Sequence, residues 1–296
     1  IRTFVILVTL LLSAALAAAE QTIVAVKSIP VKPYEDALKG FRAGCSCRII
    51  EFVASEMGAE EIVSQIRQRR PDLILAIGMD ALMKTKRIRE IPIVYLMVAN
   101  PQSVVAGEDN IAGVSMDIAP EKQLQSLQKI LPEAKRVGIL YNPGKTAALV
   151  KKAQSAAAET GIKLLTKEIQ SPKEVPSALL TLMGKIDVFW MIPDSLVVTT
   201  ETTESLLLFS VENRVPILTF SEKYVEMGAL LSVGIDPQDI GRQASEIAKK
   251  ILAGTGAKNV RSVDPRKAIL SVNQKVAKKL GIVLDETSNS NMRIIK

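Results

Sequence analysis

The segment Pro71–Pro101, PDLILAIGMDALMKTKRIREIPIVYLMVANP, decides the fold class of this chain. Two apolar runs within it, Asp72–Ile77 and Pro92–Val98, each end at a short patch of small or polar residues. This pattern predicts a strand, a turn, a helix and a second strand, the repeating parts of a parallel α/β sheet. Ligands bind at the carboxyl ends of strands in such sheets, so the patches Gly78-Met79-Asp80 and Ala99-Asn100-Pro101 are candidate ligand positions.

The same alternation of apolar runs and amphipathic stretches continues on both sides of this segment. It restarts around Ser115–Ala119, so the second half repeats the architecture of the first. No low-complexity linker separates the halves, which predicts two lobes joined by several short crossings. The polar tail from Asp285 is expected to fray. The other predicted strands are Thr22–Lys27, Arg48–Val53, Ile111–Ser115, Arg136–Tyr141, Ile162–Lys167, Ile186–Ile192, Val215–Phe220, Ala229–Val233 and Ala268–Val272. The main predicted helices are Pro33–Ala43, Ala59–Arg70, Pro120–Leu131, Thr146–Thr160, Pro172–Met183, Thr199–Asn213, Asp236–Leu252 and Asn273–Leu280.

Composition places the chain among globular proteins and disfavours nucleic acid as a partner. With 296 residues, 48% of them hydrophobic and 23% charged, the chain has room for two domains with ordinary cores. Its 38 basic and 31 acidic residues are scattered, and no basic stripe interleaved with aromatic residues occurs. Aromatic residues make up only 4% of the chain, too few for a broad base-stacking surface.

The chain contains no histidine, which argues against several classes of enzyme. Without histidine there is no Ser-His-Asp or Cys-His catalysis and no histidine metal site. The Gly-x-Gly-x-x-Gly and P-loop patterns are also missing from the sequence. We therefore expect a protein that is not an enzyme, with no catalytic residue, no metal and no cofactor. A small enzyme on an α/β scaffold is kept as an alternative.

Residues 1–19, IRTFVILVTLLLSAALAAA, have the pattern of a secretory signal peptide. A basic residue, Arg2, precedes an apolar run that ends in small residues suited to cleavage. The prediction is export to the periplasm through a cleavable signal peptide, with a retained membrane anchor as the alternative. The two cysteines, Cys45 and Cys47, are separated by one residue. Export permits a disulfide, and the sequence leaves open whether they are bridged or reduced.

Several short motifs, taken in order, resemble a known family. They are Pro71-Asp72-Leu73-Ile74-Leu75-Ala76-Ile77-Gly78, Ile91-Pro92-Ile93-Val94, Asn100-Pro101, Asn110-Ile111-Ala112-Gly113-Val114-Ser115, Glu121-Lys122-Gln123-Leu124, Val137-Gly138-Ile139-Leu140-Tyr141-Asn142-Pro143-Gly144, Pro193-Asp194, Gly234-Ile235-Asp236 and Ile240-Gly241-Arg242-Gln243-Ala244. Their order and spacing resemble the ABC-transporter substrate-binding proteins of the type I periplasmic fold, in the tryptophan/tyrosine-type branch. The match covers nearly the whole chain after residue 19.

The resemblance implies two Rossmann-like lobes, each a parallel sheet flanked by helices, with a ligand cleft between them. Lobe 1 is expected to contain residues 20–115 and about 236–262, and lobe 2 residues 116–235 and about 263–296. Several crossing segments would form a hinge. We expect them near Val114–Asp117, near Ser232–Gly234 and just before Ala268.

The resemblance also implies the function. A protein of this kind captures a small polar ligand, such as an amino acid, and delivers it to an ABC permease and its ATPase in the membrane. The alternative is a periplasmic ligand-sensing subunit of a signalling system on the same fold. A monomer is expected, with a small-molecule ligand as partner.

The candidate ligand-binding residues come from the turns at strand ends, and five of them also have a plain structural alternative. Tyr34 would otherwise be a helix core residue, Met79 a packing residue and Asn100 a turn residue. Asp194 would otherwise cap the helix near Thr199, and Asp236 has capping as its favoured role. The full set is Ser28, Tyr34, Gly78, Met79, Asn100, Tyr141, Asn142, Asp194, Ser195, Phe220 and Asp236.

Two of these positions depart from the family pattern. The family commonly has Ser-Asp-Pro where this chain has Ala99-Asn100-Pro101, so a carboxylate for a cationic amino group is missing there. The family often has Thr-Asp after the proline at position 193, whereas here the acid comes one position earlier, as Asp194. For Asp194 we favour a ligand contact over the capping role.

Overall fold

The chain divides into two units, each built around its own sheet. The structure, a computed structural model, describes residues 20–284 and 292–296. Of these residues, one unit contains those up to Ser115 together with Pro237–Val263, and the other contains Met116–Asp236 together with those from Asp264 onward. The predicted signal peptide at residues 1–19 lies outside the described residues.

Strands and helices alternate through most of the described chain. The strands are β1 (Thr22–Lys27), β2 (Arg48–Val53), β3 (Leu73–Ile77), β4 (Ile93–Val98), β5 (Ile111–Ser115), β6 (Arg136–Tyr141), β7 (Lys163–Glu168), β8 (Val188–Met191), β9 (Ile217–Thr219), β10 (Leu231–Ile235), β11 (Ala268–Asn273) and β12 (Met292–Ile295). The helices are α1 (Lys32–Gly44), α2 (Ala59–Arg69), α3 (Met79–Thr85), α4 (Gln102–Val105), α5 (Pro120–Ile130), α6 (Pro143–Glu159), α7 (Val175–Leu182), α8 (Thr200–Asn213), α9 (Glu222–Met227), α10 (Pro237–Leu252) and α11 (Gln274–Leu280).

The first unit has a five-stranded parallel sheet in the order β2-β1-β3-β4-β5. Every residue of β3 and β4 is buried, as expected for central strands covered on both faces. The chain returns to this unit as α10, which packs against α1. A parallel bridge between Val114 and Val263 then ties the end of that returning segment to β5.

The second unit has a seven-stranded sheet in the order β12-β11-β10-β9-β8-β6-β7. Its pairs are parallel except for β10 with β11, which run antiparallel. The prediction that the whole tail frays is wrong for its end, because Met292–Ile295 pairs with β11 as a strand. Ile294 also packs against the core of this unit.

The parallel α/β architecture with two sheets confirms the predicted fold class. One helix begins earlier than predicted: α6 includes Pro143, whose missing N–H costs nothing in the first turn of a helix. Among the helices in the described part of the chain, none has the length and apolar content needed to cross a membrane.

Candidate functional site

Three predicted residues of the first unit, Ser28, Tyr34 and Gly78, come together at the carboxyl ends of β1 and β3. Gly78 has φ +91° and ψ 168°, a conformation that side chains disfavour. A Cβ placed on it would lie 2.6 Å from both the Ser28 hydroxyl oxygen and the Tyr34 hydroxyl oxygen. Glycine is therefore required here both by the backbone angle and by the two hydroxyls that approach it.

Ser28 fixes the start of the helix that follows Gly78. Its hydroxyl oxygen accepts a hydrogen bond from the Ala81 N–H at 2.9 Å, and its own N–H donates to the Ile77 carbonyl at 2.9 Å. Ser28 is buried, so these bonds hold the end of β1 against the start of α3. The structure gives Ser28 a positioning role at this edge of the sheet.

Tyr34 presents a half-buried hydroxyl at the same edge. This hydroxyl has no hydrogen-bond partner in the described part of the chain, and burial raises the pKa of the Tyr34 hydroxyl above its usual value. The group is therefore a neutral donor and acceptor that is available to a ligand. The alternative of a plain core residue fits Tyr34 less well than it fits Phe41, which is fully buried on the same helix.

Apolar side chains flank these hydroxyls. Ile29, which follows Ser28, is 44% exposed, and Met79, which follows Gly78, is 36% exposed. Asp80 does not cap α3, because Gly78 is the N-cap of that helix and the Asp80 carboxylate pairs with Lys84 at 3.1 Å. The edge thus combines hydroxyl groups with exposed apolar surface.

Asn100 lies at the end of the adjacent strand, in a distorted backbone. The register between β4 and β5 shifts after Tyr95, and Met97 has φ +57°. Asn100 also has a positive φ, +45°, and its carbonyl accepts hydrogen bonds from the N–H and the hydroxyl of Ser103. Bulges of this kind redirect side chains and are frequent next to functional sites.

Lys27, which the sequence analysis did not single out, is buried at the end of β1. Its ammonium pairs with Glu35 at 2.5 Å and Glu51 at 2.9 Å, and Glu51 also pairs with Arg42. Burial lowers the pKa of the Lys27 ammonium, but the hydrogen bonds and charges of the two glutamates outweigh burial and leave it above its usual value. In the sequence, the position of a lysine at the end of a strand was the signal that could have pointed to Lys27. Its carboxylate partners become apparent only in the folded structure.

In the second unit the structure joins Asn142 and Asp194, two residues that are far apart in sequence. The Asp194 carboxylate accepts hydrogen bonds from the Asn142 N–H at 2.7 Å and the Thr146 hydroxyl at 2.5 Å. It also accepts from the N–H groups of Leu196 and Val197, at 2.9 and 3.3 Å. Asp194 is only 1% exposed, so this carboxylate ties the turn after β6 to the turn after β8.

These contacts change the interpretation of Asp194. The alternative that it caps the helix near Thr199 is wrong, because Thr199 and Thr202 form a capping box there. Four donors already occupy both carboxylate oxygens. Asp194 is therefore positioned to shape the Asn142 turn, and a direct ligand contact remains a prediction.

Asn142 and Tyr141 both have partners on the neighbouring β7 side. The Asn142 side-chain amide donates to the Ile169 carbonyl at 2.9 Å, and the Tyr141 hydroxyl donates to the Glu168 carboxylate at 2.8 Å. That hydrogen bond, followed by burial, raises the pKa of the Tyr141 hydroxyl. Neither partner was predicted, because both come from a strand pairing that the sequence does not state.

The remaining candidates lie at other strand ends of this unit. Phe220 is half-buried and packs edge-on against Tyr224 of α9, with ring centroids 5.3 Å apart. Ser195 is exposed beside Asp194, and Asp236 is half-buried between β10 and Pro237 of α10. Tyr224 lies on a short helix, Glu222–Met227, that the sequence did not predict.

A row of hydroxyl groups crosses the sheet beside α9. Thr219 of β9 is in register with Ser232 of β10, which is in register with Ser271 of β11. The Ser271 hydroxyl donates to the Glu222 carboxylate at 2.6 Å. The hydroxyls of Thr219 and Ser232 are buried and have no hydrogen-bond partner in the described part of the chain.

Among residues 20–284 and 292–296, no group of three or more His, Cys, Asp or Glu side chains is placed to hold a metal ion. What both strand-end edges offer is hydroxyl, amide and apolar surface, which suits binding of a small polar organic molecule.

Comparisons with known proteins identify the family of this chain. The family model described as "ABC transporter substrate binding protein" matches residues 48–291. Over 277 residues the chain is 26% identical to a "Tyrosine-binding protein" of Clostridioides difficile (strain R20291), covering 90% of this chain and 79% of that protein.

Solved structures show the same fold. A ligand-free, open substrate-binding protein with adhesive properties from Clostridium difficile superposes with a TM-score of 0.80 at 24% identity, covering 93% of this chain and 99% of that chain. A domain from Streptococcus pneumoniae in complex with L-Trp gives a TM-score of 0.66 at 19% identity. The match covers 94% of this chain and 100% of that chain. At sequence identities this low, the structural similarity shows the fold alone.

Proposed function

The chain belongs to the family of ABC transporter substrate-binding proteins, and on that premise we propose that it captures an amino acid outside the cytoplasm for delivery to an ABC importer. The observation that carries the proposal is the convergence of Ser28, Tyr34 and Gly78 at a strand-end edge. The half-buried Tyr34 hydroxyl has no recorded protein partner and would bond a polar group of the ligand.

The chemistry of the edges supports an amino acid with a large apolar or aromatic side chain. Hydroxyl and amide groups at Tyr34 and Asn100 suit the polar backbone of such a ligand. In the first unit, Met79 offers an adaptable apolar surface. In the second unit, Phe220 offers an aromatic surface. L-Tyrosine and L-tryptophan are the first candidates, since relatives with this fold are described with those two amino acids.

We propose that the strand ends of the second unit also carry groups that bind a ligand. In the second unit the Asn142 turn, held by Asp194, would supply backbone and side-chain contacts. In this proposal the Asp194 carboxylate positions the Asn142 turn, whereas the sequence led us to expect that it binds the ligand. Binding would take place without chemical turnover, as in the substrate-binding relatives.

The family and the N-terminal sequence support a proposal for delivery and location. Substrate-binding proteins of this kind hand their ligand to a membrane permease and its ATPase, and we propose the same partners here. Export through residues 1–19 as a signal peptide would place the protein in the periplasm. A permease and an ATPase encoded beside this chain would support transport, whereas a kinase or cyclase there would support sensing.

A thermal-shift panel tests the proposal. Protein freed of co-purified ligand by unfolding, dialysis and refolding is melted with amino acids, amines, nucleosides and small acids. A ligand at about 100 times its Kd adds about 2.7 kcal/mol to the free energy of unfolding, which raises the melting temperature by several degrees. A panel in which no compound raises the melting temperature would contradict the proposal.

A further inference from the structure

Cys45 and Cys47 form a disulfide across one intervening residue, with their Cα atoms 5.4 Å apart. We propose that this bridge is a reversible dithiol–disulfide couple that exchanges electrons with an external thiol, and that it is not a structural staple. The inference is independent of the proposed ligand. It rests on the size of the loop, the exposure of the turn and the anchoring of the flanking elements.

The loop closed by this bridge is too small for a staple. A disulfide stabilises a fold mainly by restricting the unfolded chain, and the effect grows with the length of the closed loop. Only Ser46 lies between Cys45 and Cys47. Opening the bridge therefore frees little of the unfolded chain and leaves the fold intact.

The turn is also accessible. Cys45 and Cys47 are half-buried and Ser46 is exposed, in a stretch without regular structure between α1 and β2. An external thiolate can reach the sulfurs without unfolding a helix or a strand. Bridges that a thiol in solution can reach are more labile than bridges enclosed in a core.

Both flanks of the turn are held by contacts that do not involve the bridge. Before it, Gly44 packs so closely on α10 that a Cβ there would lie 2.1 Å from the Ser245 hydroxyl oxygen. After it, the Arg48 N–H donates to the Gln21 carbonyl at 2.9 Å, and β2 pairs with β1 along its whole length. The two thiols therefore stay neighbours after reduction, which favours re-formation of the bridge.

The exchange balances in two steps. One external thiolate attacks a sulfur of the bridge, forms a mixed disulfide and releases the other cysteine as a thiolate, which takes up a proton. A second external thiolate attacks the external sulfur of the mixed disulfide and releases the second cysteine. The bridge gains two electrons, and the two external thiols become one external disulfide.

Reduced glutathione under native conditions is the test. The bridged full chain is incubated with an excess of reduced glutathione, quenched with N-ethylmaleimide and weighed by intact mass spectrometry. We expect loss of the bridged mass, gain of two N-ethylmaleimide groups, and return of the bridged mass when oxidised glutathione is added. A bridge that survives glutathione and opens only with dithiothreitol in urea would overturn the proposal.

Two further readouts separate exchange from a structural role. The reduced protein should melt within about 4 °C of the bridged protein, since a shift of that size corresponds to roughly 1 kcal/mol. The Cys45→Ser and Cys47→Ser variants should each gain one glutathione from oxidised glutathione, and the double variant should gain none. Loss of the folded state on reduction, or single variants without an adduct, would contradict the exchange role.

Discussion

Gly241 lies against the backbone of Ala37, so closely that a Cβ at position 241 would be 1.9 Å from the Ala37 carbonyl oxygen. The contact is mirrored on the facing helix, where a Cβ on Gly40 would be 2.0 Å from the Gln238 carbonyl oxygen. Helices α1 and α10 therefore touch backbone to backbone. The chain returns to the first unit as α10, so these glycines determine how closely the returning segment packs against α1.

Gly241→Ala should destabilise the first unit. Backbone atoms cannot move aside as a flexible side chain can, so overpacking should outweigh the gain in helix propensity and cost about 2 kcal/mol. Urea unfolding followed by circular dichroism measures the change. The control is Gly58→Ala, because nothing lies within 4 Å of a Cβ at Gly58. Equal midpoints for the two variants would show that the helices tolerate a wider spacing.

Asp194→Asn should destabilise the second unit although it preserves the shape of the side chain. The amide places an NH₂ group where backbone N–H groups now donate, which leaves buried donors without an acceptor. The expected cost is about 3 kcal/mol, as for breaking a buried charged network. Asp80→Asn, at an exposed pair with Lys84, should cost less than about 1 kcal/mol. Similar costs for both variants would remove the positioning role of Asp194.

Thr219→Val should raise the free energy of unfolding, although most substitutions in a protein core lower it. The Thr219 hydroxyl is buried without a partner among the residues that the structure describes, so its removal relieves a desolvation cost of about 1 kcal/mol. Thr202→Val is the matched control, because the buried Thr202 hydroxyl donates to the Val197 carbonyl at 2.7 Å. It should destabilise. A lower melting temperature for Thr219→Val than for the unaltered protein would show that the Thr219 hydroxyl has a hydrogen-bond partner in solution.

Tyr34→Phe should weaken ligand binding without changing stability. The hydroxyl has no recorded partner in the described chain, so the free protein loses little when it is removed. A lost hydrogen bond to the ligand should cost about 1 kcal/mol, or roughly fivefold in Kd. Titration calorimetry and melting curves measure the two effects. Tyr141→Phe is the comparison for stability, because it removes the hydrogen bond that the Tyr141 hydroxyl donates to the Glu168 carboxylate. An unchanged Kd in Tyr34→Phe would exclude this hydroxyl from the site.

The sequence predicted the sheets well because the strands are short, apolar and bounded by strong signals. The bounds of β1, β2, β5 and β6 agree with the predicted Thr22–Lys27, Arg48–Val53, Ile111–Ser115 and Arg136–Tyr141. Proline also marked the first turn of α5 at Pro120. Local composition is enough where an apolar run meets a turn residue.

What the sequence could not supply is the set of long-range partners. Thr146 and Asn142 bond Asp194 across about fifty positions of chain, and no local pattern encodes that contact. The strand Met292–Ile295 exists because β11 provides an edge for it. The candidate positions followed from strand ends, whereas the role of each side chain depends on partners that only the fold brings near.

Titration calorimetry of ligand-free protein tests the central claim most directly. The account predicts saturable binding of one small molecule per chain, with L-tyrosine or L-tryptophan as the first candidates in an amino-acid panel. Refolded protein that melts cooperatively, yet gives no heat of binding with amino acids, amines, nucleosides or small acids at two temperatures, would contradict it.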